Sequence, residues 1–365
     1  MIPAHQDTGH LEWFQPRVTG DVPQRRSGHS LTASGSNVWM FGGLDHSLPP
    51  GPTSDLCVLQ LGNEGSQEME WMRPNTLGVP PLERWHHSTT LYEKNKLVIF
   101  GGFHSSTNRF NDVHVFDTIT LSWLQPIDGA CDFTPRGNHV PPQDTHPGVP
   151  TPRGGHTACL DKGGDKLYVF GGYGGMGYSR RDFNDVFILD IGDGWTWSKV
   201  NAKGTLPEPR SGHSGVMVND DLVVFGGRNS ATNFNDLCIF DTLEATWSEV
   251  TTGWGPARWN HSAVAVAAIP NWKVFVFGGQ TSPDENDVGF AKAASKNKFL
   301  KQQAFYLNDV AVLDTGGNQW AVPECNGAPP SARSGSEVRL KALNASVGKR
   351  RGGSAGRCRE GGGSE

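Results

Sequence analysis

Six arginines recur along this 365-residue chain in similar company. Arg26, Arg84, Arg153, Arg210, Arg258 and Arg333 are each followed three residues later by a fixed position, held by His29, His87, His156, His213 and His261 in the first five and by Ser336 in the sixth. A guanidinium presents a rigid fork of donors that matches a carboxylate, so such a set, if it converged, would suit an acidic partner. Recurring imidazoles raise the question of a metal site, and Asp112, Asp185, Asp236 and Asp309 that of paired acid–base carboxylates. Each reading requires the residues to meet, which depends on the elements that carry them.

Those elements follow one grammar. In Pro209 to Trp247 the start signal Arg210-Ser-Gly-His213-Ser214 leads into a short strand, and Asn219-Asp220-Asp221 makes a turn. Leu222-Val-Val-Phe225 is an apolar run stopping at Gly226-Gly227, as a strand buried on both faces would read. Phe234-Asn-Asp236 opens a third strand, Leu237-Cys-Ile-Phe240, and Trp247 marks a fourth. The glycine pair recurs after Val38 to Phe41, Leu97 to Phe100, Leu167 to Phe170 and Val274 to Phe277. Asn111-Asp112, Asn184-Asp185 and Asn308-Asp309 repeat the opener, with Ser54-Asp55 in the first copy; Trp71, Trp123, Trp197 and Trp320 repeat the close. A period of roughly 50 residues with this signature points to a β-propeller.

From about Trp13 to Trp320 these motifs resemble the kelch family. The resemblance implies an all-β, kelch-type β-propeller of four-stranded antiparallel blades, here labelled a to d. Trp13 sits ahead of Arg26 much as Trp247 sits ahead of Arg258, so it reads as the last strand of a blade begun elsewhere. The expected plan is six blades with the last incomplete, because Glu337 to Glu365 contain no diglycine strand, no Asn-Asp opener and no tryptophan. The domain reading is a propeller over 1–336 and a basic Gly/Ser/Arg-rich tail over 337–365 with the composition of disorder. An unlatched ring bares two strand edges, so marginal stability or self-association is expected.

Composition bounds the classes of function. The 47 glycines and 24 prolines fit many short strands joined by turns, and a net charge of −5 argues against a nucleic-acid or membrane surface on the body. Six scattered cysteines without a C-x-x-C pair read as reduced thiols. With no signal peptide and no membrane-length apolar run, the expectation is a cytoplasmic protein, also nuclear. Lys349-Arg350-Arg351 reads as a solvated basic tail rather than a nuclear-localisation patch.

In a meander a–b–c–d, the b–c loops and the blade-to-blade d–a loops emerge on one face. Two long insertions, 124–152 (d–a) and 280–305 (b–c), fall on that face, and retained long loops favour binding. Phe290 to Lys301 reads as a short basic helix. The six arginines lie near the central channel on the same side, and for most of them bracing the local carbonyls is the better reading. The resemblance also implies pocket roles for residues just after Gly-Gly: Phe103, His104, Tyr173, Arg228, Asn229 and Gln280. Arg228 is weighted highest, since its counterparts are not basic. The candidate partner-binding set is therefore Arg26, Arg84, Arg153, Arg210, Arg228, Asn229, Arg258, Tyr173, His104 and Gln280.

One histidine per blade spreads the imidazoles around a ring, which favours packing over metal binding, and the recurring aspartates read as turn residues. No cofactor is expected. A protein-interaction module, scaffold or substrate-recruiting adaptor that takes an acidic peptide segment is the leading function. No BTB-like helical domain fits in the chain, so a link to a ubiquitin ligase would need a separate adaptor site. The alternative is a metal-dependent kelch-type enzyme. It is disfavoured because the specifier motif Glu-x-x-x-Asp-x-x-x-His is missing and none of the five tyrosines sits in a copper-site motif.

Overall fold

The computed structural model describes residues 11–47, 49–62, 68–124, 148–175, 180–250, 253–282 and 305–331. Among them there is no helix. Five antiparallel meanders follow one another. The first comprises Ser30–Ser34, Asn37–Phe41, Leu56–Leu61 and Glu68–Met72, and the second Ser88–Tyr92, Lys96–Phe103, Arg109–Asp117 and Ser122–Leu124. Thr157–Leu160, Lys166–Phe170, Val186–Asp190 and Thr196–Lys199 form the third; Ser214–Val218, Asp221–Arg228, Asn233–Asp241 and Thr246–Val250 form the fourth. The fifth is Ser262–Val266, Lys273–Thr281, Phe305–Asp314 and Gln319–Ala321.

The apolar second strands explain how these sheets stack. Leu97 and Ile99 pack with Trp39, Phe41 and Val58 of the first unit. Val98 and Phe100, pointing the other way on the same strand, pack with Leu167, Val169 and Phe187 of the third. A sheet sandwiched between two neighbours has no solvent face, so its central strands read as continuous rather than alternating apolar runs. First strands of consecutive units lie side by side from Ser30–Ser34 to Ser262–Val266. Together they line a channel of about 540 Å³. Sheets stacked face to face around such a channel make a β-propeller.

One aromatic contact repeats at each junction. The phenylalanine before the diglycine meets the closing tryptophan of the next unit: Phe41–Trp123, Phe100–Trp197, Phe170–Trp247 and Phe225–Trp320, with centroids 4.8–5.4 Å apart. Phe277 of the fifth unit meets Trp13 at 5.4 Å. Beside Trp13, Leu11–Glu12 pairs in parallel with Cys325–Asn326. The linker preceding the first unit lies in the same way on that unit's closing strand, Arg17–Gly20 against Glu68–Met72.

The structure departs from the sequence reading at the diglycine. A strand ending at Phe225 was expected, yet pairing resumes beyond the glycines, with Gly227 opposite Phe234 and Arg228 opposite Asn233 across a bulge. Gly226 and Gly227 take φ of 62° and 96°, a left-handed geometry that lets one strand continue through a kink. A side chain at Gly226 would begin 2.8 Å from the Arg258 carbonyl oxygen, so the pair also lets the next unit approach. The same continuation occurs in the second and fifth units, whereas in the first and third the strand ends at phenylalanine. Residues 125–147 and 283–304 (most of both insertions, with the basic helix), Arg333, and the tail 337–365 fall outside the described residues.

Candidate functional site

Four of the repeated arginines, Arg84, Arg153, Arg210 and Arg258, are fully buried. Each forks onto the aspartate of its own unit. Arg84 Nη1 and Nη2 donate to Asp112 Oδ1 and Oδ2 at 2.7 and 2.9 Å, and Arg210 does the same to Asp236 at 2.6 and 2.8 Å. Asp185 and Asp309 receive Arg153 and Arg258 likewise. Nη1 also donates to the carbonyl of the first glycine of the pair, as from Arg84 to Gly101 at 3.0 Å, and the guanidinium lies over Phe110, Phe183, Phe234 or Trp254. Arg26 holds Asp55 at 2.9 Å in the first unit. Burial alone would raise the Asp112 carboxyl, but the Arg84 charge and hydrogen bonds from Arg84 and His114 outweigh it and hold the group well below the usual carboxylate range. These guanidiniums brace their own blades, and no fork is presented to a partner.

The histidines form a second ladder between blades. His87 Nε2 meets Ser30 Oγ at 2.9 Å, His156 meets Ser88 at 2.9 Å, His213 meets Thr157 at 3.4 Å and His261 meets Ser214 at 2.9 Å. A third runs along the backbone at the channel mouth. The residue before each histidine donates its N–H to its counterpart one unit earlier: His86 to Gly28, Gly155 to His86, Gly212 to Gly155 and Asn260 to Gly212, at 2.7–2.9 Å. All five sit at φ of 51–67°, where glycine costs least and asparagine is tolerated.

Above that belt, on the face of the b–c and d–a loops, opens a cavity of about 360 Å³. Arg228, Asn229, Ser230, Tyr173, Asp182, Phe103, Ser211, His86 and Trp259 contribute to its wall. Arg228 reaches it because the strand continues past the diglycine; its backbone exchanges hydrogen bonds with Ser211 at 2.9 and 2.8 Å. Its guanidinium carbon lies 5.0 Å from the Trp259 ring centroid on the exposed side of the wall. Opposite charge is present too. Asp182 Oδ1 accepts from Ser211 Oγ at 2.7 Å, and burial pushes this carboxyl up despite that bond and the Arg228 charge. Burial, and then the Arg228 charge, push His86 down to about 4, so it stands neutral in the wall at physiological pH.

Of the ten residues singled out from the sequence, Tyr173, Arg228 and Asn229 converge here. The Asn229 side-chain oxygen is engaged in its own turn, accepting from Ala231 and Thr232 N–H at 2.9 and 2.8 Å. Gln280 pairs through its backbone with Trp259 at the cavity's flank. His104 turns away and meets the Glu83 carbonyl at 3.1 Å. Sequence reasoning missed Asp182, Ser211, His86 and Trp259. Trp259 and His86 sit inside the repeated start signal, two residues and one residue ahead of its histidine respectively, which was a usable cue; nothing in the sequence marked Asp182.

Fold and site together define a propeller with a cavity at one channel mouth. The profile of the KLHDC2/KLHL20/DRC7 Kelch-repeats domain matches residues 4–144 and 138–340, and the chain belongs to the kelch-repeat family. It is 32% identical over 60% of its length to kelch domain-containing protein 3 of Homo sapiens, covering 52% of that protein. It is 34% identical over 60% of its length to human host cell factor 2, covering 26% of it. Over 88% of its length it is 27% identical to the flagellar outer-arm dynein alpha chain of Chlamydomonas reinhardtii, covering 6% of that protein. The chain thus spans about half, or much less, of the curated relatives it matches.

Proposed function

We propose that this propeller binds an acidic segment of a protein partner in the cavity around Arg228, as a scaffold or substrate-recruiting adaptor of the cytoplasm and nucleus. Kelch-repeat relatives generally mediate protein–protein interaction, which supports the broad class. The observation that carries the site is the contrast among the arginines. Arg26, Arg84, Arg153, Arg210 and Arg258 are held in ion pairs with aspartates of their own units, whereas Arg228 stands over Trp259 in a cavity wall. A cation on an aromatic face, beside hydroxyl and amide groups, recognises a carboxylate together with the peptide that carries it.

The test is binding of a fluorescent acidic peptide pool, compared between the parent protein and Arg228→Glu. Loss of one buried charge-assisted contact costs about 2–5 kcal/mol, so binding should fall by well over tenfold. Equal melting of the two proteins establishes that the loss is local. Arg210→Glu is not an equivalent probe, since it would strand Asp236 against a second carboxylate and unfold the blade. Undiminished binding by Arg228→Glu would move the site elsewhere.

A further inference from the structure

The cavity around Arg228 carries two opposite charges that do not neutralise each other. Asp182 stands in the third unit's short strand Arg181–Asp182, directly across from Tyr173. Its Oδ1 accepts from Ser211 Oγ at 2.7 Å, while the Ser211 backbone exchanges hydrogen bonds with Arg228 at 2.8 and 2.9 Å. Ser211 thus ties the carboxylate of one unit to the strand that carries the guanidinium of the next. Among the described residues no ion pair joins Asp182 to Arg228 or to any other cation. Burial pushes this carboxyl up even though Ser211 and Arg228 pull the other way, so a further cation beside it would favour its charged form.

The blade itself does not call for an acid there. Opposite the residue after the diglycine stand Pro52, Arg109, Asp182, Asn233 and Tyr306, in the five units in turn. Arg109 donates to the Ser106 and Gly175 carbonyls and Asn233 to Ser282 Oγ, so both are engaged with neighbouring loops. The recurring aspartates Asp112, Asp185, Asp236 and Asp309 each clasp a buried arginine, and Asp182 clasps none. Phe103 and Tyr173 share the cavity wall with it, and aromatic rings suit the aliphatic stem of a long cationic side chain.

We propose that Asp182 determines which segments the cavity accepts: the segment that brings a carboxylate to Arg228 also carries a lysine or arginine whose cation meets Asp182. The inference rests on the acidic-segment reading above and narrows it to a segment of mixed charge. A purely acidic segment sets a second carboxylate against Asp182 and is disfavoured, so the same residue attracts one class of partner and repels another.

Two pools of short fluorescent peptides with capped termini test this in the full chain. One pool carries glutamate as its sole charge, and the other carries glutamate and lysine at every spacing. The parent protein is expected to bind the mixed pool roughly tenfold more tightly. Asp182→Asn, which keeps an acceptor for Ser211 Oγ, is expected to lose that preference while binding the glutamate pool at least as well as the parent. Asp182→Glu, which keeps the charge, is expected to retain it. The preference is a ratio measured within one protein, so a smaller folded fraction in a variant leaves it unchanged. Equal binding of the two pools by the parent overturns the selection by Asp182 and leaves the Arg228 site standing, as does an undiminished preference in Asp182→Asn. Failure of the parent to bind either pool, or full binding of both by Arg228→Gln, overturns the acidic-segment reading and this inference with it.

Discussion

Each Arg–Asp pair puts two charges out of water, and its stability depends on both being present. Removing one partner strands the other, which costs about 3–5 kcal/mol, far more than losing a surface ion pair. Asp112→Ala should therefore destabilise the protein by roughly that amount in denaturant titration, since Arg84 would remain buried. A loss below about 1 kcal/mol would mean that water reaches the guanidinium. The histidines set the response to pH. Burial first, and the neighbouring arginine second, push His156 and His261 down to about 3 and His29 to about 4. The unfolded chain takes up these protons near pH 6.5 and the folded chain does not, so stability is full above pH 6.5 and falls as pH drops toward 3. Each such histidine contributes a slope of up to about 1.4 kcal/mol per pH unit in that window. Calorimetry should show Tm declining from about pH 6.5, before carboxylates titrate, and more gently in His156→Asn than in the parent once its lower starting Tm is allowed for. A Tm that stays flat from pH 7 to 5 would contradict the buried, neutral histidines.

Strand length turns on the diglycine. Gly226 sits at φ 62° with the Arg258 carbonyl oxygen 2.8 Å from where a Cβ would stand, so alanine there meets both backbone strain and a clash. Gly226→Ala should cost about 2 kcal/mol or more, while Gly35→Ala, at φ 59° but with open space around it, should cost about 1. Comparing the two in urea separates the clash from the strain. The junction tryptophans grade in the same way. Trp247 is fully buried, and Trp247→Ala should cost about 3–5 kcal/mol; Trp13 is half-buried against Phe277, and Trp13→Ala should cost roughly 2. Equal losses at the two positions would show that the Trp13 strand is as deeply held as an interior blade.

Across the whole molecule the ion pairs become more open from the second unit to the fifth. The side chains of Asp112, Asp185, Asp236 and Asp309 are 10%, 18%, 27% and 37% exposed. Phe305 and Tyr306 on the fifth unit's third strand are exposed as well. Local opening should therefore begin there, with amides of Phe305–Asp314 exchanging faster than those of Arg109–Asp117. Equal protection of the two strands would mean that the propeller opens only as one body.

The spacing of Arg, His, Gly-Gly, Asn-Asp and Trp was enough to establish the repeated meander, its strand order and the face from which the loops leave. Those are local properties: turn residues, the length of an apolar run and its period are all written within one unit. The pairing of Arg84 with Asp112 was not legible, because the two lie 28 residues apart and meet only once the third strand folds back across the second. Tertiary structure likewise set the repeated arginines apart from Arg228. It closed Arg84, Arg153, Arg210 and Arg258 inside their blades and left Arg228 on a cavity wall, beside an aspartate from the third unit and a tryptophan from the fifth. Sequence determines what each blade is made of; which charge stays free is decided between blades, where burial makes an unpaired ion too costly to keep.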